Sequence, residues 1–185
     1  MYSQEHLNKI GNTVVYLASN VENPSKTKLL KLLYLLDEIS IKTSGIPFLN
    51  LQYKVWKFGP VASDIFVEFS SSPSILKGYI KRKTNQNGHE IIEPIVEFCD
   101  DEFSLNELEL LKEVANKFNN STVEELIQYT HRKNSPWHNT AIQHSVLELL
   151  ENEKISSTDI IIDMSELIQY DERKLAIYNE YRDLF

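Results

Sequence analysis

Cysteine is almost missing from this chain: Cys99 is the single one in 185 residues. That excludes an intrachain disulfide and any multi-cysteine zinc site, and it suits a reducing compartment. Glycine is scarce too. Gly11, Gly45, Gly59, Gly78 and Gly88 stand far apart, so no glycine-rich loop can wrap a phosphate in backbone donors, and no nucleotide cofactor is expected. Positive charge is in deficit, with 19 Lys and Arg against 27 Asp and Glu for a net charge of −8. Nucleic-acid binders need the opposite balance, so nucleic acid is not an expected general partner. There is no long hydrophobic run either: Leu29 to Leu36 is interrupted by Lys31 and is too short to span a bilayer. The opening residues carry His6 and Lys9 with no apolar core or small-residue cleavage pattern, so neither a secretory leader nor a membrane partner is expected, and the expected location is cytoplasmic.

What is present is an ordinary globular mixture, 42% apolar and 25% charged, which excludes wholesale disorder. The length suits one compact domain over residues 1–185. Leu7, Ile10, Val14, Leu17 and Val21 recur at helical spacing, predicting a helix from Gln4 to Val21. Ser25 caps a second helix running to about Ser44. Its leucines and isoleucines cover most of the circumference, and Thr27, Lys28, Lys31, Glu38 and Lys42 share one narrow polar arc. A helix so apolar must be surrounded by neighbours, which makes it the centre of the fold, ended by Gly45 and Pro47.

Leu51 to Phe58 reads as a short extended segment or ordered loop, and Gly59-Pro60 as the start of a helix to Ser70. Residues 79–95 read as a β-hairpin about Asn87-Gly88, with Pro94 confined to an edge strand. Ser104 with Glu107 and Thr122 with Glu125 are capping boxes opening helices Leu105–Phe118 and Val123–His131. Pro136 is read as stopping the latter. A helix over Asn139–Glu151, an apolar run at Ile160–Ile162 and a helix from Ser165 to the end complete the reading. The expected fold class is mainly α with a small β-hairpin, a helical bundle around one hydrophobic helix, with a core at about 5–150 and an extension at about 151–185.

No histidine or carboxylate set has a metal-ligand spacing, so no metal site and no catalytic residue is assigned. Asp37 falls inside the apolar arc of the second helix, where an ionised carboxylate must meet donors. A catalytic acid or base is one reading. A buried anchor accepting from an indole, tyrosine or histidine is the preferred one, because no nucleophile partner is evident. Lys28 and Lys31 are either a solvated face or a ridge facing a partner. Tyr34, at the edge of the arc, reads as a half-buried core tyrosine. Trp56 and Trp137, read as lying between helices, are core by default, although tryptophan is also favoured at binding hot spots. His131 with Arg132 and Lys133 sits where a helix ends and complements its dipole. Cys99, beside acidic residues, is read as inert.

These residues carry a resemblance. Lys28-Leu29-Leu30-Lys31-Leu32-Leu33-Tyr34, then Gly45-Ile46-Pro47, then Val55-Trp56-Lys57-Phe58-Gly59-Pro60-Val61, with Thr130-His131 and Pro136-Trp137 further on, resemble the signature of the Panacea domain, also called the SocA-like antitoxin or phage-associated GepA-like domain. Val55 stands where alanine is commoner. The resemblance covers roughly residues 26–140. It implies a small helical antitoxin that is no enzyme, needs no cofactor and neutralises a cognate protein toxin, encoded by an adjacent gene, through direct binding. One class within the family hands its toxin to a ClpXP-type protease, which makes such a protease a second implied partner. Motif positions Lys28, Lys31, Tyr34, Asp37, Trp56, Gly59, Pro60, His131 and Trp137 are then the candidates for holding the fold or framing a partner groove. Binding energy is expected from exposed aromatics and the hairpin edge. The alternative function is a DNA-binding autoregulator using Lys81, Arg82 and Lys83, the one tight basic cluster.

Overall fold

The computed structural model describes residues 2–183. The fold is mainly α, with two antiparallel strand pairs, and the chain forms two compact units. One comprises residues up to Leu33 and from Asp64 to Thr122; the other comprises Tyr34–Ser63 and the residues from Val123 onward.

In the first unit, α1 (Gln4–Asn20) begins at Ser3, whose side chain accepts from the His6 N–H, and buries Ile10, Val14 and Leu17. It packs against the β3–β4 hairpin (Ile80–Thr84 and Glu90–Pro94) and against α4 (Leu105–Phe118). The hairpin register pairs Thr84 with Glu90 and Ile80 with Pro94, and Gly88 takes the positive φ of 81° in its loop. The Ser104–Glu107 capping box that opens α4 is formed in both directions. The α2 helix (Lys26–Ser44) contributes its residues up to Leu33 here, and Leu29, Leu30, Leu32 and Leu33 are all buried. Between α3 (Ser63–Ser70) and the hairpin, the buried Glu68 accepts from the Ser74 N–H and hydroxyl and from the Leu76 N–H, which folds that loop.

In the second unit, the rest of α2 ends at Gly45, whose φ of 83° forms the expected left-handed cap. The segment read as a loop and a helix start is instead a hairpin. Strand β1 (Tyr53–Trp56) turns through Lys57-Phe58 into β2 (Gly59–Ala62), and α3 begins only at Ser63. Gly59 has φ 97°, a conformation side chains rarely tolerate. Val55 points its N–H to the Ile160 carbonyl (3.0 Å), and its own carbonyl accepts from the Thr158 hydroxyl (2.7 Å). Both groups thus face away from β2, so Val55 and Pro60 oppose each other as a non-hydrogen-bonded pair, where a missing N–H costs the ladder nothing.

The remaining elements also revise the reading. Helix α5 covers Val123–Thr130. Pro136 does not stop a helix but occupies the first turn of α6 (Pro136–Gln143), behind the cap Ser135, so Trp137 lies within a helix. The single helix expected over Asn139–Glu151 is two, because Ser145 (φ 55°) closes α6 before α7 (Leu147–Glu151). The Val146 N–H bonds the Ala141 carbonyl and the Ser145 N–H the Ile142 carbonyl, a Schellman motif built without glycine. The last expected helix is a 3-10 turn (Met164–Ile168) followed by α8 (Glu172–Asp183); the final two residues of that expectation lie outside the described residues. Among the described residues no helix is long and apolar enough to cross a membrane.

Candidate partner-binding site

The motif residues divide between the units. Lys28 and Lys31 belong to the first; Tyr34, Asp37, Trp56, Gly59, Pro60, His131 and Trp137 belong to the second.

Lys28 is buried, not part of a solvated face. Its ammonium donates to the carbonyls of Glu22 (2.7 Å) and Asn119 (2.6 Å), just beyond the C-terminal ends of α1 and α4. A cation satisfying carbonyls at two helix ends meets the negative pole of both dipoles. Burial lowers its pKa, opposed by the charge of Glu22. Lys31, at 1% exposure, is buried further, and desolvation lowers its pKa to about 7.

Asp37 is 1% exposed and accepts from the Tyr53 hydroxyl (2.7 Å) and from the backbone N–H groups of Leu49 (2.6 Å), Asn50 (3.1 Å) and Leu51 (3.3 Å). Asn50, at φ 51°, supplies the left-handed residue that lets three successive N–H groups converge. Burial pushes the carboxyl up from its ordinary range, and these four donors pull it back. With both oxygens engaged, the group is an anchor between α2 and the loop that leads to β1.

Tyr34 is fully buried, not half-buried, with its ring edge-on to Tyr53 at 5.1 Å. Burial and the nearby Glu38 carboxylate raise its phenol well above the ordinary value. Glu38, expected on the polar arc, is buried and forms ion pairs with Arg132 and Lys42. The cation that permits its burial comes from 94 residues away.

The two tryptophans build one corner. The Trp137 indole N–H donates to the Trp56 carbonyl (3.0 Å), and the Trp56 indole N–H donates to the Thr158 carbonyl (3.1 Å). The His131 ring stacks on Trp137, centroids 3.7 Å apart and 2° from parallel. Residues 156–162 run along β1: besides the contacts of Val55, the Ile162 N–H reaches the Tyr53 carbonyl (2.8 Å) and the Lys57 N–H the Ser156 carbonyl (2.9 Å). Part of the extension beyond residue 151 thus lies against β1 as an extended segment, joined to it by an isolated antiparallel bridge at Lys54–Ile161 and these hydrogen bonds. Gly59 and Pro60 are buried, Trp56 and His131 half-buried, and Phe58 at the turn is 55% exposed.

The basic cluster of the β3–β4 hairpin is neutralised across the strands. Lys81 (2.9 Å) and Lys83 pair with Glu93, and Arg82 pairs with Glu90. Among the described residues no cluster of three His, Cys, Asp or Glu could hold a metal ion.

A groove of about 440 Å³ opens in the first unit, and sequence reasoning missed it. The Tyr79 ring lies across α1 at Gly11, where an added Cβ would come within 2.6 Å of it, and its hydroxyl donates to Asn8 Oδ1 (2.8 Å). Asn12 Oδ1 accepts from the Cys99 N–H (3.0 Å) and holds the opposite lip. Its acidic signal was visible as Glu97, Asp100, Asp101 and Glu102 around Cys99, but the residues that shape it come from distant segments.

Compared with known protein families, residues 29–138 match the family described as "Antitoxin SocA-like, Panacea domain". No curated protein and no solved structure matches the chain.

Proposed function

Because the chain belongs to the SocA-like antitoxin family with a Panacea domain, we propose that it neutralises a cognate protein toxin by binding it directly. The family match is the observation that carries this reading. Most of the motif side chains are engaged inside their own unit, Lys28 in the first and Asp37, Trp56 and Trp137 in the second, and exposed aromatics such as Phe58, Tyr129 and Tyr170 of the second unit remain for contact. A net charge of −8 suits a toxin made basic by acting on nucleic acid, since opposite charge speeds encounter and suppresses wrong partners. The cross-strand pairing of Lys81, Arg82 and Lys83 weighs against operator binding as the main role.

The test is co-expression with the product of the adjacent open reading frame. We expect that product to arrest growth alone and growth to resume when this chain is present. A neighbour that is harmless alone overturns the reading. Repeating the rescue in cells lacking the ClpXP-type protease separates two routes: rescue that persists is occlusion of the toxin, and rescue that disappears is delivery for degradation.

A further inference from the structure

We propose that the groove between Tyr79 and the Glu97–Glu102 segment is the docking site for a basic, partly apolar segment of the partner protein; this deepens the antitoxin reading and rests on it. Three observations converge. The first is shape and chemistry: the Tyr79 ring and the exposed Val96 give the groove apolar walls, while Glu97, Asp101 and Glu102 line it with no Lys or Arg among them. The second is the state of those charges. Three other carboxylates of this unit are neutralised locally, Glu93 by Lys81 and Lys83, Glu90 by Arg82 and Glu107 by Lys9, while among the described residues Glu5, Asp100, Glu109 and Glu113 stand unpaired outside the groove. Among the described residues the side chains of Glu97 and Asp101 form neither an ion pair nor a hydrogen bond. Glu102 is aimed by a hydrogen bond from the Asn8 amide (3.0 Å).

The third observation is rigidity. The Tyr79–Asn8 and Cys99–Asn12 hydrogen bonds tie both sides of the groove to α1, so a partner would meet a preformed surface with little ordering entropy left to lose. Uncompensated negative charge beside apolar walls is complementary to a segment in which Lys or Arg alternates with apolar residues. Such a segment keeps its long side chains' stems on the walls and their charged ends on the carboxylates.

Cys99, the single cysteine, lines the groove and is exposed, so its alkylation rate reports occupancy. One probe is a synthetic peptide alternating lysine and leucine, with its glutamate–leucine counterpart as control; the other is the protein encoded by the adjacent reading frame. We expect the basic peptide to bind with an affinity that falls as salt rises, and to slow alkylation of Cys99 by iodoacetamide severalfold. The double reversal Glu97→Lys/Asp101→Lys should weaken binding at least about tenfold, and Glu109→Lys/Glu113→Lys, on the exposed face of α4, should not. Gly78→Arg is the second variant: Gly78 lines the groove, and a Cβ added there meets no atom within 4 Å, so the substitution should place a cation at the groove at little cost to the fold. Equal peptide binding by wild type and the groove variants overturns the groove. If wild type neutralises the neighbour's product and the groove variants do so equally well, the groove falls and the antitoxin reading stands. If wild type does not bind that product, the antitoxin reading falls, and a peptide bound without dependence on Glu97 and Asp101 takes the groove down with it.

Discussion

At the tryptophan corner both indole N–H groups end on backbone carbonyls, and the buried Asp37 of the same unit accepts from four donors. In the groove of the first unit, by contrast, Glu97 and Asp101 face solvent with no partner among the described residues. The family signature lies mostly in the first kind of place, and the groove's carboxylates have no position in it. Lys28, Asp37 and Trp137 are signature residues whose loss would leave polar partners stranded. A contact residue is one whose loss would cost the fold nothing. The two kinds are separable by measuring stability and binding on the same variants.

The largest effect expected is at Asp37. Asp37→Leu leaves three backbone N–H groups and the Tyr53 hydroxyl buried without an acceptor, which should destabilise by about 3–5 kcal/mol in urea unfolding; a loss below about 1 kcal/mol would show that the anchor does not hold α2 to its loop.

Next comes the pH dependence of Lys31. In the unfolded chain its ammonium titrates near 10.5, and in the folded protein near about 7. The stability it contributes is therefore fully present above pH 10.5, is lost as the pH falls toward 7, and is level below that. Lys31→Met, having no such titration, should gain on wild type over this window. A difference between the two that is flat from pH 10.5 to 7 contradicts the burial of the charge.

Gly11→Ala puts a methyl group against the Tyr79 ring and should cost about 1–3 kcal/mol. Removing the ring with Tyr79→Ala in the same chain should recover part of that, and a double-mutant cycle measures the coupling. The smallest effect sharpens the contrast: Glu97→Lys/Asp101→Lys should leave stability within about 0.5 kcal/mol of wild type, measured as the unfolding midpoint, while binding changes.

Local signals were read well. The leucine-rich α2, the Asn87-Gly88 turn and the Ser104–Glu107 box each depend on residues within a few positions of one another. What escaped the reading depends on distant chain. Pro60 looks like the opening of a helix until Ile160 and Thr158 are known to occupy the other side of β1. Lys28 and Glu38 look solvated until Asn119 and Arg132 arrive to meet them. The break between α6 and α7 escaped because Ser145 takes the left-handed position that glycine usually signals. Of the site, the Asp37 anchor was legible because a carboxylate inside an apolar arc has few physical solutions, and a tyrosine was among the donors expected. The groove was not, because Asn8, Tyr79 and Glu97 share no stretch of sequence.

The extended segment 156–162, which lies against β1, bears on how this protein is divided for study. The family match stops at residue 138, yet the backbone partner on the other edge of β1 lies beyond it. A fragment cut at that boundary would bare the Val55 amide, the Tyr53 carbonyl and the Trp56 indole along an open β edge, a template for pairing with other molecules. Such a fragment should self-associate, and a loss of toxin protection by it would reflect aggregation and say nothing about where the toxin binds.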